Sequence, residues 1–169
     1  MTAAERRSAI LAAVAQSPQP VSATALARRF GVSRQSVVGD VALRRAAGAD
    51  ITATPRGYTA VRTAGPLRRV ACRHTAAEME AELNCMVDHG CTVLDVVVEH
   101  PVYGQLTGQL DLRSRYDVQQ FVARSAQSDA RPLSLLTEGI HLHTVSCPGE
   151  EAFRRMREGL RVLGVLLEA

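Results

Sequence analysis

The stretch ALARRFGVSRQSVVGDVALRRAAG, residues 25–48, decides how the first third of the chain folds. It holds two runs of helical periodicity with one glycine between them. Ser22 is placed to cap a short helix over ATALARRF, and Gly31 in FGVS breaks that helix sharply. Ser33 then caps a longer helix, RQSVVGDVALRRAAG, which ends at Gly48. A serine oxygen accepts from the free amides of a first turn, and a glycine closes a last one. Two helices joined by a glycine-containing turn make a helix-turn-helix. Upstream, residues 3–14 place Ile10, Leu11 and Val14 on one stripe opposite Glu5, Arg6 and Arg7, and QSPQP ends that helix. Downstream, ADITATPRGYTAV alternates as two short strands around Pro55, Arg56 and Gly57, the pattern of a hairpin wing.

This arrangement suits double-stranded DNA. A recognition helix offers its N-terminal residues to base edges in the major groove. Here those are Ser33, Arg34, Gln35 and Ser36, small or hydrogen-bonding, with arginine suited to guanine or phosphate and glutamine to adenine. Val37, Val41 and Ala42 are expected to turn inward and anchor the helix. Arg44, Arg45 and, in the wing, Arg56 are placed to hold phosphates. The plain alternative is a three-helix protein-interaction module with a solvated arginine face. Residues 5–61 resemble the winged helix-turn-helix of bacterial repressors related to the biotin-operon regulator.

Charge divides the chain. Residues 1–66 hold nine arginines against three acids, and residues 67–169 hold eleven arginines against fourteen acids. The first part is therefore suited to a polyanion and the second is not. Every basic residue is arginine, a pattern that fits genomic base composition better than function. No apolar run approaches the ~20 residues of a membrane span. The charged, periodic start does not read as a signal peptide. Four cysteines (Cys72, Cys85, Cys91, Cys147) without CxxC spacing are expected as reduced thiols in a cytoplasmic protein.

A linker is expected in VRTAGPL, residues 61–67, punctuated by Gly65 and Pro66, which gives domains at 1–63 and 67–169. In the second, LRRVACRH reads as a strand and TAAEMEAELNCMVDHG as a helix capped by Thr75. CTVLDVVVEHPVYGQLTGQLDL reads as two strands turning near Gly104, and SRYDVQQFVARSAQ as a helix. GIHLHTVSC is a further strand, and GEEAFRRMREGLRVLGVLLE a C-terminal helix. The order β-α-β-β-α-β-α predicts an α+β sandwich with helices on one face of a mixed sheet. The whole is α+β.

In that last strand, His141 and His143 are one residue apart and so share a face, where both can reach one ion. Two ligands hold a metal poorly. His74, between a strand and a helix, is the natural third, and Glu78, Glu80 or Glu82 on that helix can supply a fourth. Helical periodicity does not choose among the three glutamates. Cys72 and Cys147 are alternative soft ligands, although buried thiols commonly serve packing alone. His100 precedes Pro101, where a turn role competes with a ligand role. His89, beside Gly90, is expected to meet the helix dipole and solvent.

The segments RHTAAEMEAEL, VEHPVYGQL and EGIHLHTVSCP resemble the 3H domain. Joined to this kind of winged helix, they are similar to the niacin-responsive repressors of NAD biosynthesis and niacin uptake, the NiaR family. The resemblance implies a transition-metal ion (nickel, zinc or iron) on His74, Glu82, His141 and His143, and so selects Glu82. It also implies a cytoplasmic homodimer that is not an enzyme. Nicotinic acid would bind as effector near the metal and tighten the grip on operator DNA. Two other readings are a metal-dependent hydrolase fused to a DNA-binding domain and a plain metal-responsive repressor. Against the hydrolase, no extra general base stands beside the paired histidines.

Overall fold

The computed structural model describes residues 1–60, 65–129 and 131–168. The chain divides into two compact units, Met1–Arg62 and Thr63–Ala169. Four positions of the expected linker, 61–64, lie outside the described residues.

In the first unit, helices α1 (Ala3–Gln16), α2 (Ala23–Phe30) and α3 (Arg34–Ala46) precede a hairpin of β1 (Ile51–Thr54) and β2 (Gly57–Ala60). Each helix start is fixed by its own side chain. Thr2 Oγ1 accepts from the Glu5 amide at 3.2 Å while Glu5 Oε2 accepts from the Thr2 amide at 2.7 Å, a reciprocal cap. Ser22 Oγ accepts from Ala25 N at 3.1 Å and Ser33 Oγ from Ser36 N at 3.0 Å. Gly31, at φ +66°, closes α2 in the left-handed region where glycine carries no Cβ penalty.

Ile10, Val14, Leu26, Val37, Val41 and Ile51 form this unit's core. Burying each such side chain contributes roughly 1.5–3 kcal/mol. Ala42, expected inward, is exposed, and Asp40 takes the inward place. Positions 37, 40 and 41 share one helical face, and the next residue turns about 100° away from it. The burial of Asp40 is compensated by Arg6, whose Nε lies 2.7 Å from Oδ2, and by Arg7 at 3.7 Å. The wing is tied down by paired backbone bonds between Val21 and Tyr58 at 2.8 and 2.9 Å. A Cβ on Gly57 (φ +135°) would lie 2.5 Å from the Val21 carbonyl, so only glycine allows that approach.

The second unit contains β3 (Leu67–Arg73), α4 (Met79–Asp88), β4 (Thr92–His100), β5 (Gly104–Leu112), α5 (Arg115–Gln127), β6 (Ile140–Ser146) and α6 (Glu150–Val162). Its sheet runs β3-β6-β4-β5. The sheet expected as mixed is antiparallel throughout. The helical crossover from β3 to β4 leaves a gap one strand wide, and β6 fills it from the opposite direction, so no parallel neighbours meet. One core unites Val70, Cys72, Val93, Leu112 and Val145 of the sheet with Leu83, Met86, Val118, Phe153, Met156 and Leu160 of the helices.

Three local expectations change. The first turn after Thr75 is a 3-10 turn, Ala76–Glu78, before α4 begins. The C-terminal helix, expected to continue through GVLLE, stops at Val162, because Gly164 at φ +75° turns the chain back. The tail then lies along β3: Arg73 N donates to Val165 O at 2.8 Å and Leu167 N to Ala71 O at 2.9 Å. Cys91 and Cys147, expected reduced, form a disulfide. They are adjacent to the paired residues Thr92 and Ser146, so the register of β4 on β6 brings the two sulfurs together.

Candidate metal centre and nucleic-acid face

Strand alternation puts His141 and His143 on the core-facing side of β6, where register sets Cys72 opposite His141 and Val70 opposite His143. His74 follows β3 directly. Gly139, at φ +89°, lets the start of β6 approach it so closely that any Cβ would collide with the His74 carbonyl oxygen. His74 N donates to Gly139 O at 3.4 Å. Glu82 rises from the first turn of α4 on the same stripe as Leu83, Met86 and Val87, and is 1% exposed.

All three Nε2 atoms converge on this carboxylate: His74 at 2.6 Å and His143 at 3.3 Å from Oε2, and His141 at 2.9 Å from Oε1. Each ring is anchored on its other side by a backbone carbonyl. His74 Nδ1 donates to Thr75 O at 2.6 Å, His141 Nδ1 to Gly139 O at 2.8 Å, and His143 Nδ1 to Asp95 O at 2.7 Å. A carbonyl only accepts, so each Nδ1 carries the proton, and a neutral ring then aims an Nε2 lone pair at the carboxylate. Lone pairs facing an anionic oxygen need a cation between them. His143 Nε2, buried and near Glu82 without hydrogen-bond geometry, has no hydrogen-bond partner among the described residues.

Protons alone would set three buried imidazolium charges around one carboxylate, a costly arrangement. A divalent ion held by neutral rings would avoid that cost, and fixed Nδ1 bonds are what metal-ligating histidines show. Three imidazoles and a carboxylate fit a transition metal by donor type. Taken without an ion, the same groups favour mutual charge. Burial pushes the Glu82 carboxyl up, yet the charge of His143 and the bonds from His141 and His74 hold it well below the ordinary range. Burial pulls His74 and His143 down, and Glu82 together with nearby backbone and acidic groups more than restores both. A metal ion would take the place of those protons.

The other candidates separate clearly. Glu78 caps Thr75 N at 2.8 Å and Glu80 is exposed, so of the three glutamates Glu82 alone enters the cluster. The 3-10 turn explains why periodicity did not show this, since a helical wheel drawn through residues 76–78 has the wrong phase. Cys72 Sγ, a Glu82 oxygen and a His141 nitrogen lie within 4.8 Å of one another. Cys147 is engaged in the disulfide. His100 Nδ1 accepts from Val102 N at 3.1 Å and Tyr103 N at 3.2 Å, which is a turn role. His89 Nδ1 donates to Cys85 O at 2.7 Å near the end of α4.

Asp95 was not singled out by the sequence reading. Its carbonyl holds His143, its Oδ1 accepts from Thr144 N at 2.9 Å, and the pairing of β4 with β6 is irregular between Val93 and Val97. The signal available was an aspartate inside the apolar run TVLDVVVEH.

On α3, Arg34 and Gln35 are exposed, while the Ser33 and Ser36 hydroxyls bond each other at 2.8 Å. Arg45 is exposed, Arg44 donates to Ser8 Oγ, and Arg56 Nη1 donates to Gln19 Oε1 at 3.4 Å. Gly39 lies on the exposed side of α3 with open space around its missing Cβ. Among the described residues no helix is long and apolar enough to cross a membrane.

Sequence comparison places these two units. The profile of the HTH domain matches residues 6–59, and that of the 3H domain matches residues 67–169. The "Probable transcription repressor NiaR" of Thermotoga maritima is 41% identical over 165 residues, covering 97% of this chain and 94% of its own. The "Transcription repressor NadR" of Bacillus subtilis is 36% identical over 170 residues, covering 98% and 94%. Both relatives are named as repressors and neither as an enzyme. With a helix-turn-helix and a 3H domain in the same order along nearly its whole length, the chain belongs to the NiaR family of transcription repressors.

Proposed function

We propose that the protein is a cytoplasmic, homodimeric repressor that binds operator DNA in response to niacin, with one divalent transition-metal ion (nickel, zinc or iron) per chain. It controls genes of NAD biosynthesis or niacin uptake. The observation that carries the metal part is the convergence of three histidine Nε2 atoms on buried Glu82, with every Nδ1 already committed to a carbonyl. His74, Glu82, His141 and His143 hold the ion, which supplies a Lewis-acid attachment point for the pyridine nitrogen or the carboxylate of nicotinic acid. Niacin follows from the family resemblance of the 3H segments.

On the DNA side, Arg34 and Gln35 read base edges, while Ser33 and Ser36 shape the first turn of the recognition helix. Arg44, Arg45 and Arg56 hold phosphates. Nicotinic acid acts as co-repressor, so operator DNA must tighten effector binding by the same factor.

A thermal-shift series on the metal-loaded protein with nicotinate, nicotinamide and NAD tests the effector. A ligand at about 100 times its Kd stabilises the folded form by roughly 2.7 kcal/mol. Nicotinate is expected to raise the Tm most. A Tm that responds to metal but to none of the three compounds would leave the ion itself as the signal and overturn the niacin reading.

A further inference from the structure

We propose that Cys72 supplies a sulfur donor to the ion held by His74, Glu82, His141 and His143, which makes the centre selective for thiophilic, borderline cations. The inference rests on the metal reading of that cluster and names a fifth donor for it. Cys72 is fully buried and stands directly opposite His141 in the β3–β6 pairing, on the same face of the sheet. Its Sγ shares a 4.8 Å envelope with a Glu82 oxygen and a His141 nitrogen. On one zinc ion, nitrogen at about 2.1 Å and sulfur at about 2.3 Å stand about 3.6 Å apart at a tetrahedral angle. An approach of about an ångström therefore brings the sulfur into coordination.

A buried cysteine commonly packs as a small hydrophobe. Cys72 differs because its polar neighbours are themselves aimed at a shared point, and because His143 Nε2, 3% exposed, is left without a hydrogen-bond partner in the same cluster. The other sulfurs are elsewhere: Cys85 Sγ lies 3.8 Å from Met156 O, and Cys91 and Cys147 are joined to each other. The tail residue Leu166 bridges to Cys72 on the outer side of β3. On binding, the sulfur–metal bond replaces the S–H bond and the proton passes to solvent, with no change of oxidation state. A sulfur donor favours zinc, cobalt, nickel or iron over magnesium, calcium and manganese.

The test loads the full-length protein with Co(II) and, separately, Zn(II). About one cobalt per chain with an intense near-ultraviolet sulfur-to-cobalt band is expected. The band should be lost in Cys72→Ser and kept in Cys85→Ser, with cobalt still bound to both. X-ray absorption of the zinc form of the unaltered chain should show a sulfur neighbour at about 2.3 Å, and decides the matter even where Cys72→Ser does not fold. Full cobalt loading with no sulfur band, or a band that survives Cys72→Ser, would overturn the sulfur donor and leave the histidine–glutamate centre standing. No metal uptake by the unaltered chain would overturn both.

Discussion

The two units solve the problem of buried polar groups in opposite ways. In the reading head, polar side chains settle close to where the sequence puts them: Thr2, Ser22 and Ser33 each cap the helix that immediately follows. Its one buried acid, Asp40, is matched by two arginines from α1. The 3H unit instead gathers His74, Glu82, His141 and His143 from β3, α4 and β6 into one interior cluster. The first unit pairs its buried charge with arginines of its own. Three imidazoles aimed at one buried carboxylate would instead be paired by a bound cation.

The largest effect is expected from removing that cluster. The His141→Ala/His143→Ala double variant should lose nearly all bound metal, measured by elemental analysis, while the circular-dichroism signal of the first unit's helices persists. Full metal retention would sink the centre. The reverse cut is Leu26→Ala, in the core of the reading head. Such truncations cost about 2–5 kcal/mol, so denaturant titration should show the first unit unfolding early while metal content stays near one per chain. Loss of metal in this variant would show that the two units do not stand independently.

The smallest and most diagnostic effect is expected at Gly39. Among the described residues nothing crowds a Cβ there, and alanine in a helix interior is favoured by roughly 0.5–1 kcal/mol. Gly39→Ala should therefore raise Tm slightly. If this face of α3 lies against DNA, it should also weaken operator binding in an anisotropy titration. A gain in stability with unchanged DNA affinity would move the contact surface away from Gly39.

What was legible in the sequence follows the same division. Caps, glycine turns and the wing announce themselves over a few residues, because each local choice is made by atoms three or four positions apart. In the 3H unit the element order was legible for the same reason, and so was the shared face of His141 and His143. The choice of Glu82 over Glu78 and Glu80 came from family resemblance rather than from periodicity, because the 3-10 turn at residues 76–78 shifts the helical phase. The disulfide and the role of Asp95 depend on the register of β4 against β6, a pairing of segments about fifty residues apart in which only the folded sheet says which residue faces which. Ala42 lies one position past the buried face of Val37, Asp40 and Val41, and the acid on that face is legible only once Arg6 and Arg7 of α1 are seen beside it.

The tail that lies along β3 also bears on how copies of this sheet could associate. A sheet with two unpaired borders can add neighbours on both sides and grow without limit. Here Val165 and Leu167 already occupy hydrogen-bonding positions on one border, at Arg73 and Ala71. Among the described residues, β5 is the border strand left without such a covering segment. Edge-to-edge joining through β5 would use that border in both copies, and so would close at a pair instead of propagating into a fibre.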